Sequence, residues 1–233
     1  MRFKELVWGT FVFKNSNGGD PTYQSLGTDK EFLDHLQTNP SIKDFEKLRK
    51  FLVHYGVPWA RKDLASQYLS LWPQLKPHIQ RLAGESLVKC NLNNSEIHDQ
   101  IVGAYSCLGN AWGGNTVAAK ILHFFNVSLF VMWDREIYSE YSQGKSGADA
   151  YLEFLKAMQK EAIESLNDFE RLSLPGRLEE FLSHKLCYES TRPLTKFIDD
   201  YNWVFITKHW PRSIPDLLTD LLIQEKGKQL ASI

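Results

Sequence analysis

The stretch that decides the fold runs Trp112-Gly113-Gly114-Asn115-Thr116-Val117-Ala118-Ala119-Lys120-Ile121-Leu122-His123-Phe124-Phe125, then Asn126-Val127-Ser128, then Leu129-Phe130-Val131-Met132-Trp133, then Asp134-Arg135-Glu136-Ile137. A glycine-rich turn leads into a short apolar helix, Thr116 to about Phe125. Ala118 and Ala119 let another element approach that helix closely. Asn126-Val127-Ser128 makes a turn, Leu129 to Trp133 reads as a buried apolar segment, and Asp134 opens a new helix. The turn ahead of the first helix brings several free backbone amides together at the positive end of its dipole, which is a phosphate cradle in outline.

The neighbouring pattern is helical as well. Upstream, Asn93-Asn94-Ser95-Glu96 caps a helix carrying Ile97, Ile101, Tyr105 and Leu108. Asp44 to Val53 places Phe45, Leu48, Leu52 and Val53 on one stripe. Pro58 precedes a helix through Leu64, Tyr68, Leu71 and Trp72, which Pro73 and Pro77 are expected to break and restart. Thr28-Asp29-Lys30-Glu31 resembles a capping box with Thr28 as the cap. Residues 1–28 read differently: Val7-Trp8-Gly9-Thr10-Phe11-Val12-Phe13 is aromatic and β-branched and precedes a turn cluster, so an extended arm and loop are expected. Downstream, helices are predicted over Ala148–Leu166, Leu178–Glu189, Leu194–Phe205 and Ile214–Gln224. There is no internal repeat and no low-complexity linker. Residues 1–233 read as a single compact, mostly α unit, with 109–137 as its chemical centre.

Composition narrows the class. The 233 residues are 43% hydrophobic and 24% charged, enough to bury a core and far from a disordered chain. No run approaches 18 apolar residues, so no transmembrane helix is expected. The N-terminus lacks the apolar core of a secretory signal. Three cysteines, Cys90, Cys107 and Cys187, are too few and too scattered for a disulfide framework, a zinc knuckle or a four-cysteine cluster. The expectation is a reduced intracellular protein, cytoplasmic or nuclear/nucleoid. A net charge of −1 excludes a binder coated in lysine and arginine, but not one that grips phosphates through backbone amides.

Asp134 has two readings. It can be an N-cap and no more, which local features alone favour. It can also be a partly desolvated carboxylate whose electrostatics serve catalysis.

The stretch 112–137 resembles the core of the helix-hairpin-helix DNA glycosylase superfamily: a glycine hairpin, a small apolar helix, an apolar segment, and an Asp opening the next helix. Aligned on Gly114 and Ala118, Thr116 falls where bifunctional members keep a Schiff-base lysine, and Asp134 follows 18 residues later at the position of the catalytic aspartate. The hairpin's leucine-proline entry is missing, and Trp112 replaces its first glycine. The resemblance implies two packed helical subdomains, with excision of a modified or mismatched base from double-stranded DNA. Asp134 would be catalytic, and Gly113, Gly114, Asn115 and Thr116 would hold the DNA backbone. Thr116 has no amine, so a monofunctional enzyme is implied. Lys120, one turn on, is expected as an ion-pair partner or phosphate contact, with a displaced amine nucleophile as the alternative. No metal or organic cofactor is implied. A catalytically silent DNA-binding protein and a helical protein-interaction domain are the alternative functions.

Other residues carry weaker signals. Arg177 and His184 are spaced like the Arg–His pair of the HEPN ribonuclease family, although a solvated helix face explains them better. Lys208-His209-Trp210-Pro211-Arg212 interleaves basic and aromatic residues, which suits nucleic acid; a loop with Trp210 anchored in the core is the favoured reading. His98 and Cys90 have no partners at metal-ligand spacing, and His123 reads as a satisfied core histidine. Trp59, Arg61 and Lys62 could line DNA, with nothing to single them out.

Overall fold

The computed structural model describes residues 1–17, 20–57, 63–109 and 114–211. Among these residues there are eleven α-helices and no strand. They are α1 (Phe3–Asn17), α2 (Pro21–Gly27), α3 (Lys30–Thr38), α4 (Ile42–His54), α5 (Leu64–Leu82), α6 (Ser95–Leu108), α7 (Gly114–Phe125), α8 (Arg135–Ser142), α9 (Ala148–Arg171), α10 (Leu178–Lys185) and α11 (Leu194–Asn202). A π-helical turn, Trp203–Thr207, continues α11. The mostly α reading therefore holds. The helix expected at Ile214–Gln224 lies outside the described residues, as do Gly113, Pro58, Trp59, Arg61, Lys62 and Arg212.

The core is organised around α7. Every residue from Val117 to Phe125 is buried, as is the whole segment Leu129–Trp133. The turn between them is fixed by Asn126, whose side-chain amide donates to the carbonyls of Leu82 and Glu85 while its Oδ1 accepts from the Ser128 and Leu129 amides. One side chain thus ties the end of α5 to the turn after α7. Helices α3, α4 and α6 pack on α7, α5 lies between α4 and α6, and α9 backs α6.

The N-terminal segment is a helix and not an extended arm. β-propensity favours a strand here, but Phe3, Leu6, Val7, Thr10 and Phe13 also recur at three- and four-residue steps, and all are buried. They pack α1 against α9, α11 and the π-turn. Gly9 makes that crossing close: a Cβ there would stand 2.9 Å from the Phe205 ring and 3.2 Å from the Tyr201 backbone. Burial on neighbouring helices overrides local preference.

Two further expectations change. Pro73 and Pro77 do not break α5, which runs unbroken through both. They sit four apart on its exposed side, while Tyr68, Trp72, Leu75, Ile79 and Leu82 hold the buried face. The cap before α3 is Asp29, whose Oδ1 accepts from the Phe32 amide, whereas Thr28 donates back to the Gln24 carbonyl. In α4 the buried stripe is Phe45, Leu48, Phe51 and Leu52, with Val53 exposed. The Asn94 cap of α6 is as expected, accepting from the Glu96 and Ile97 amides.

Candidate functional site

A cleft of about 680 Å³ opens where the start of α7, the end of the apolar segment and the start of α8 meet α1, the end of α4 and α11. Of the residues expected to act, Asn115, Thr116, Lys120 and Asp134 all line it. Gly114 lies at its edge in sequence, exposed and at φ +64°. Asn115 is pinned from below: its carbonyl accepts from the Tyr105 hydroxyl at 2.9 Å and from Trp133 Nε1 at 3.2 Å.

A Cβ on Gly114 would meet nothing within 4 Å, so this glycine is not there for close packing; its positive φ is what requires it. Gly114→Ala should therefore lower stability by about 1 kcal/mol through backbone strain, read as a shifted urea midpoint. Gly114→Val should cost more. If neither variant melts earlier, the turn can adopt another backbone and glycine is not needed there.

Asp134 caps a helix and is partly desolvated as well. Its Oδ1 accepts from the Ile137 amide at 2.9 Å, which caps α8. Its Oδ2 accepts from the Thr207 hydroxyl at 2.8 Å. Burial raises its carboxyl above the usual range, and Glu136 and Asp199 add to this, while the Ile137 and Thr207 hydrogen bonds pull the other way. The folded state thus binds this proton more readily than the unfolded chain. On account of this group, stability falls as pH rises from about 3.8 through the raised value. Thr207→Val removes a hydrogen bond to the charged form, so the carboxyl should titrate at still higher pH. Carbon-13 NMR of the Asp134 carboxyl should show that upward displacement; an unmoved or lowered titration would mean that Thr207 does not act on it.

Lys120 lies one turn beyond Thr116. It is 9% exposed, with its amine 5.0 Å from the centre of the Tyr55 ring. Burial lowers its pKa, against the attraction of Asp199 and Asp134. Among the described residues it makes no ion pair and no hydrogen bond, so of its two expected roles, ion-pair partner or phosphate contact, the first is not seen there. The surrounding carboxylates are engaged elsewhere.

Asp134 is held by Ile137 and Thr207, and Asp199 by Lys196. This wholly buried amine lies 2.7 Å from Asp199 Oδ2 and 3.6 Å from Asp20 Oδ2, and it donates to Asp200. Burial alone would lower its pKa, but the three carboxylates outweigh that and raise it. Arg192, also fully buried, reaches Asp200 at 3.3 Å and lies 4.3 Å from the centre of the Tyr188 ring. Sequence reasoning missed this network, although Asp20 and Asp199 line the cleft. A signal was present: Lys196, Asp199 and Asp200 share one helix face at i, i+3 and i+4, among Phe197, Ile198 and Tyr201. Thr207 carried no signal in the sequence.

His123 is a core histidine, as expected. It is fully buried; Nδ1 donates to the Phe130 carbonyl at 2.6 Å and Nε2 accepts from Tyr23 Oη at 2.7 Å. Burial presses its pKa down to about 4, with the Phe130 carbonyl acting against the shift. Arg177 pairs with Glu180 at 3.0 Å on an exposed face shared with His184, so the ribonuclease-like pair is a solvated one. Trp210 is not anchored in the core: its ring is 46% exposed, while its backbone amide donates to Val204. Among the described residues no cluster of His, Cys, Asp and Glu could hold a metal ion, and no helix is long and apolar enough to cross a membrane.

Compared with known protein families, with curated proteins and with solved structures, the chain matches none.

Proposed function

We propose that the chain excises a base from double-stranded DNA by breaking its N-glycosidic bond, in the manner of the helix-hairpin-helix glycosylases that residues 112–137 resemble. The observation that carries the reading is the convergence in one aromatic-walled cleft of Asp134, a partly buried carboxylate, with Lys120, a buried amine that has no ion pair among the described residues. At about 680 Å³ the cleft has room for a flipped nucleoside. Cleavage of the C1′–N bond leaves an oxocarbenium-like sugar, which the Asp134 carboxylate stabilises while it orients the attacking water. Gly114, Asn115 and Thr116 hold the backbone through amides at the start of α7, independently of sequence, and the role expected of Gly113 belongs to the same proposal. The two helical subdomains of that superfamily belong to the same proposal.

Lys120 favours a second end product. A buried neutral amine can itself add to C1′ as the bond to the base breaks; O4′ then leaves C1′ as a hydroxyl, taking up a proton that the amine gives up, and an imine stands in place of an intact abasic site. The test is incubation with duplexes carrying different base modifications, with mass detection of released bases and borohydride trapping. Base release without an adduct gives the hydrolytic enzyme; an adduct lost in Lys120→Ala gives the second product. Salt-dependent duplex binding with no released base across the panel would leave a silent DNA-binding protein, and no such binding would leave a protein-interaction domain.

A further inference from the structure

We propose that the groove beside the cleft binds a second nucleotide, the one joined to the nucleotide in the cleft, with its base stacked on Trp210 and an exocyclic amino group of that base donating to Glu140. The proposal rests on the base-excision reading and names the strand context on which it acts. The first support is position. The groove, of about 660 Å³, lies between the exposed face of α8, with Arg135, Glu136, Ser139 and Glu140, and the chain from Phe205 to Trp210. Arg135 and Glu136 line the cleft as well, so the first turn of α8 is a ridge shared by the two. A strand that crosses it with one nucleotide in the cleft places the next in the groove, which has the volume for one.

The second support is the ring. Trp210 is 46% exposed on the groove, whereas most of a tryptophan is ordinarily covered. It is also held in place. Its amide donates to the Val204 carbonyl at 3.1 Å, and His209, at φ +54°, turns the chain back to bring it there. A fixed, open aromatic face is a platform on which any base stacks.

The third support is the polar lining. Arg135 on the ridge and Lys208, whose amine stands 4.9 Å from the centre of the cleft residue Trp203, meet the phosphate that joins the two nucleotides. Glu140 is exposed one helical turn beyond Glu136, and its carboxylate has no hydrogen bond or ion pair among the described residues. A carboxylate repels phosphate, so its use in such a groove is as an acceptor. The exocyclic amines of cytosine, adenine and guanine are the donors that a strand offers it. Thymine has none. The groove therefore takes an amino-bearing neighbour and discriminates against thymine. Filling cleft and groove together unstacks two adjacent nucleotides, so a duplex with adjacent mispairs is entered more readily than a perfect one.

The experiment is a fluorescence-anisotropy titration of the intact protein with labelled hexanucleotides, one all cytosine and one all thymine, near neutral pH. The cytosine strand should bind about tenfold more tightly. Trp210→Ala should weaken both strands about tenfold and keep their ratio, since stacking does not read the base edge. Glu140→Ala should bring the two strands to nearly equal affinity. Both side chains are exposed, so neither change should move the urea midpoint. No binding of either strand, equal binding of the two by wild type, a ratio that survives Glu140→Ala, or affinities untouched by Trp210→Ala overturns the proposal. The expected pattern with no base released from the modified duplexes upholds the groove and sinks base excision; base release by wild type with that pattern absent does the reverse.

Discussion

Asp134→Asn should reduce base release at least a hundredfold, about the effect of deleting one electrostatic contact to a transition state, and leave the fold and duplex affinity unchanged. The cap explains why these separate. An asparagine Oδ1 can still accept from the Ile137 amide, and its amide can donate to Thr207, whose hydroxyl accepts as readily as it donates. The negative charge is all that is lost. Because burial raises the Asp134 carboxyl, keeping it ionised above that raised value costs the folded state something, and the variant should melt at the same temperature or slightly higher. Unchanged turnover on a substrate that wild type cleaves would reduce Asp134 to a helix cap. A collapse in stability would show that the charge holds the fold.

The largest stability loss is expected from Lys196→Met. Removing the amine leaves Asp20, Asp199 and Asp200 clustered without their shared partner, and Asp200 is fully buried. Breaking a buried pair by removing one member costs about 3–5 kcal/mol, well above an ordinary substitution. Arg192 reaches Asp200 at 3.3 Å and can compensate part of that cluster. Urea denaturation should show the loss, and Lys196→Met combined with Asp200→Asn should recover part of it. A single variant within 1 kcal/mol of wild type would mean that water reaches the cluster and screens it.

The helices around residues 93–137 were legible because their signals agree: a capping asparagine, an apolar stripe, a turn and a second cap fall at consistent spacing. Where signals conflicted, local ones misled. The β-branched run at Val7–Phe13 outweighed the helical recurrence of Phe3, Leu6, Thr10 and Phe13, and only the packing of α1 on α11 decides between them. Pro73 and Pro77 read as breaks because a sequence does not say which side of a helix meets water. In the cleft, Asn115, Thr116, Lys120 and Asp134 were found because one short stretch contains them. Asp20, Asp199 and Thr207 arrive from distant positions, and Lys196 looks like any surface lysine until its helix face is seen to be buried.

One consequence follows from the burial of α7 from Val117 to Phe125. From Val117 on the helix cannot loosen by itself, since any opening strands apolar side chains of at least three neighbours in water. Its amide protons can then exchange with solvent only when the whole molecule opens. Thr116 and Lys120 ride on that helix, and Asp134 is joined to it by eight residues, all but Val127 and Ser128 buried. The groups proposed to act are thus fastened to the slowest-exchanging part of the chain, and any breathing of the cleft must come from the walls that α1, α4 and α11 supply.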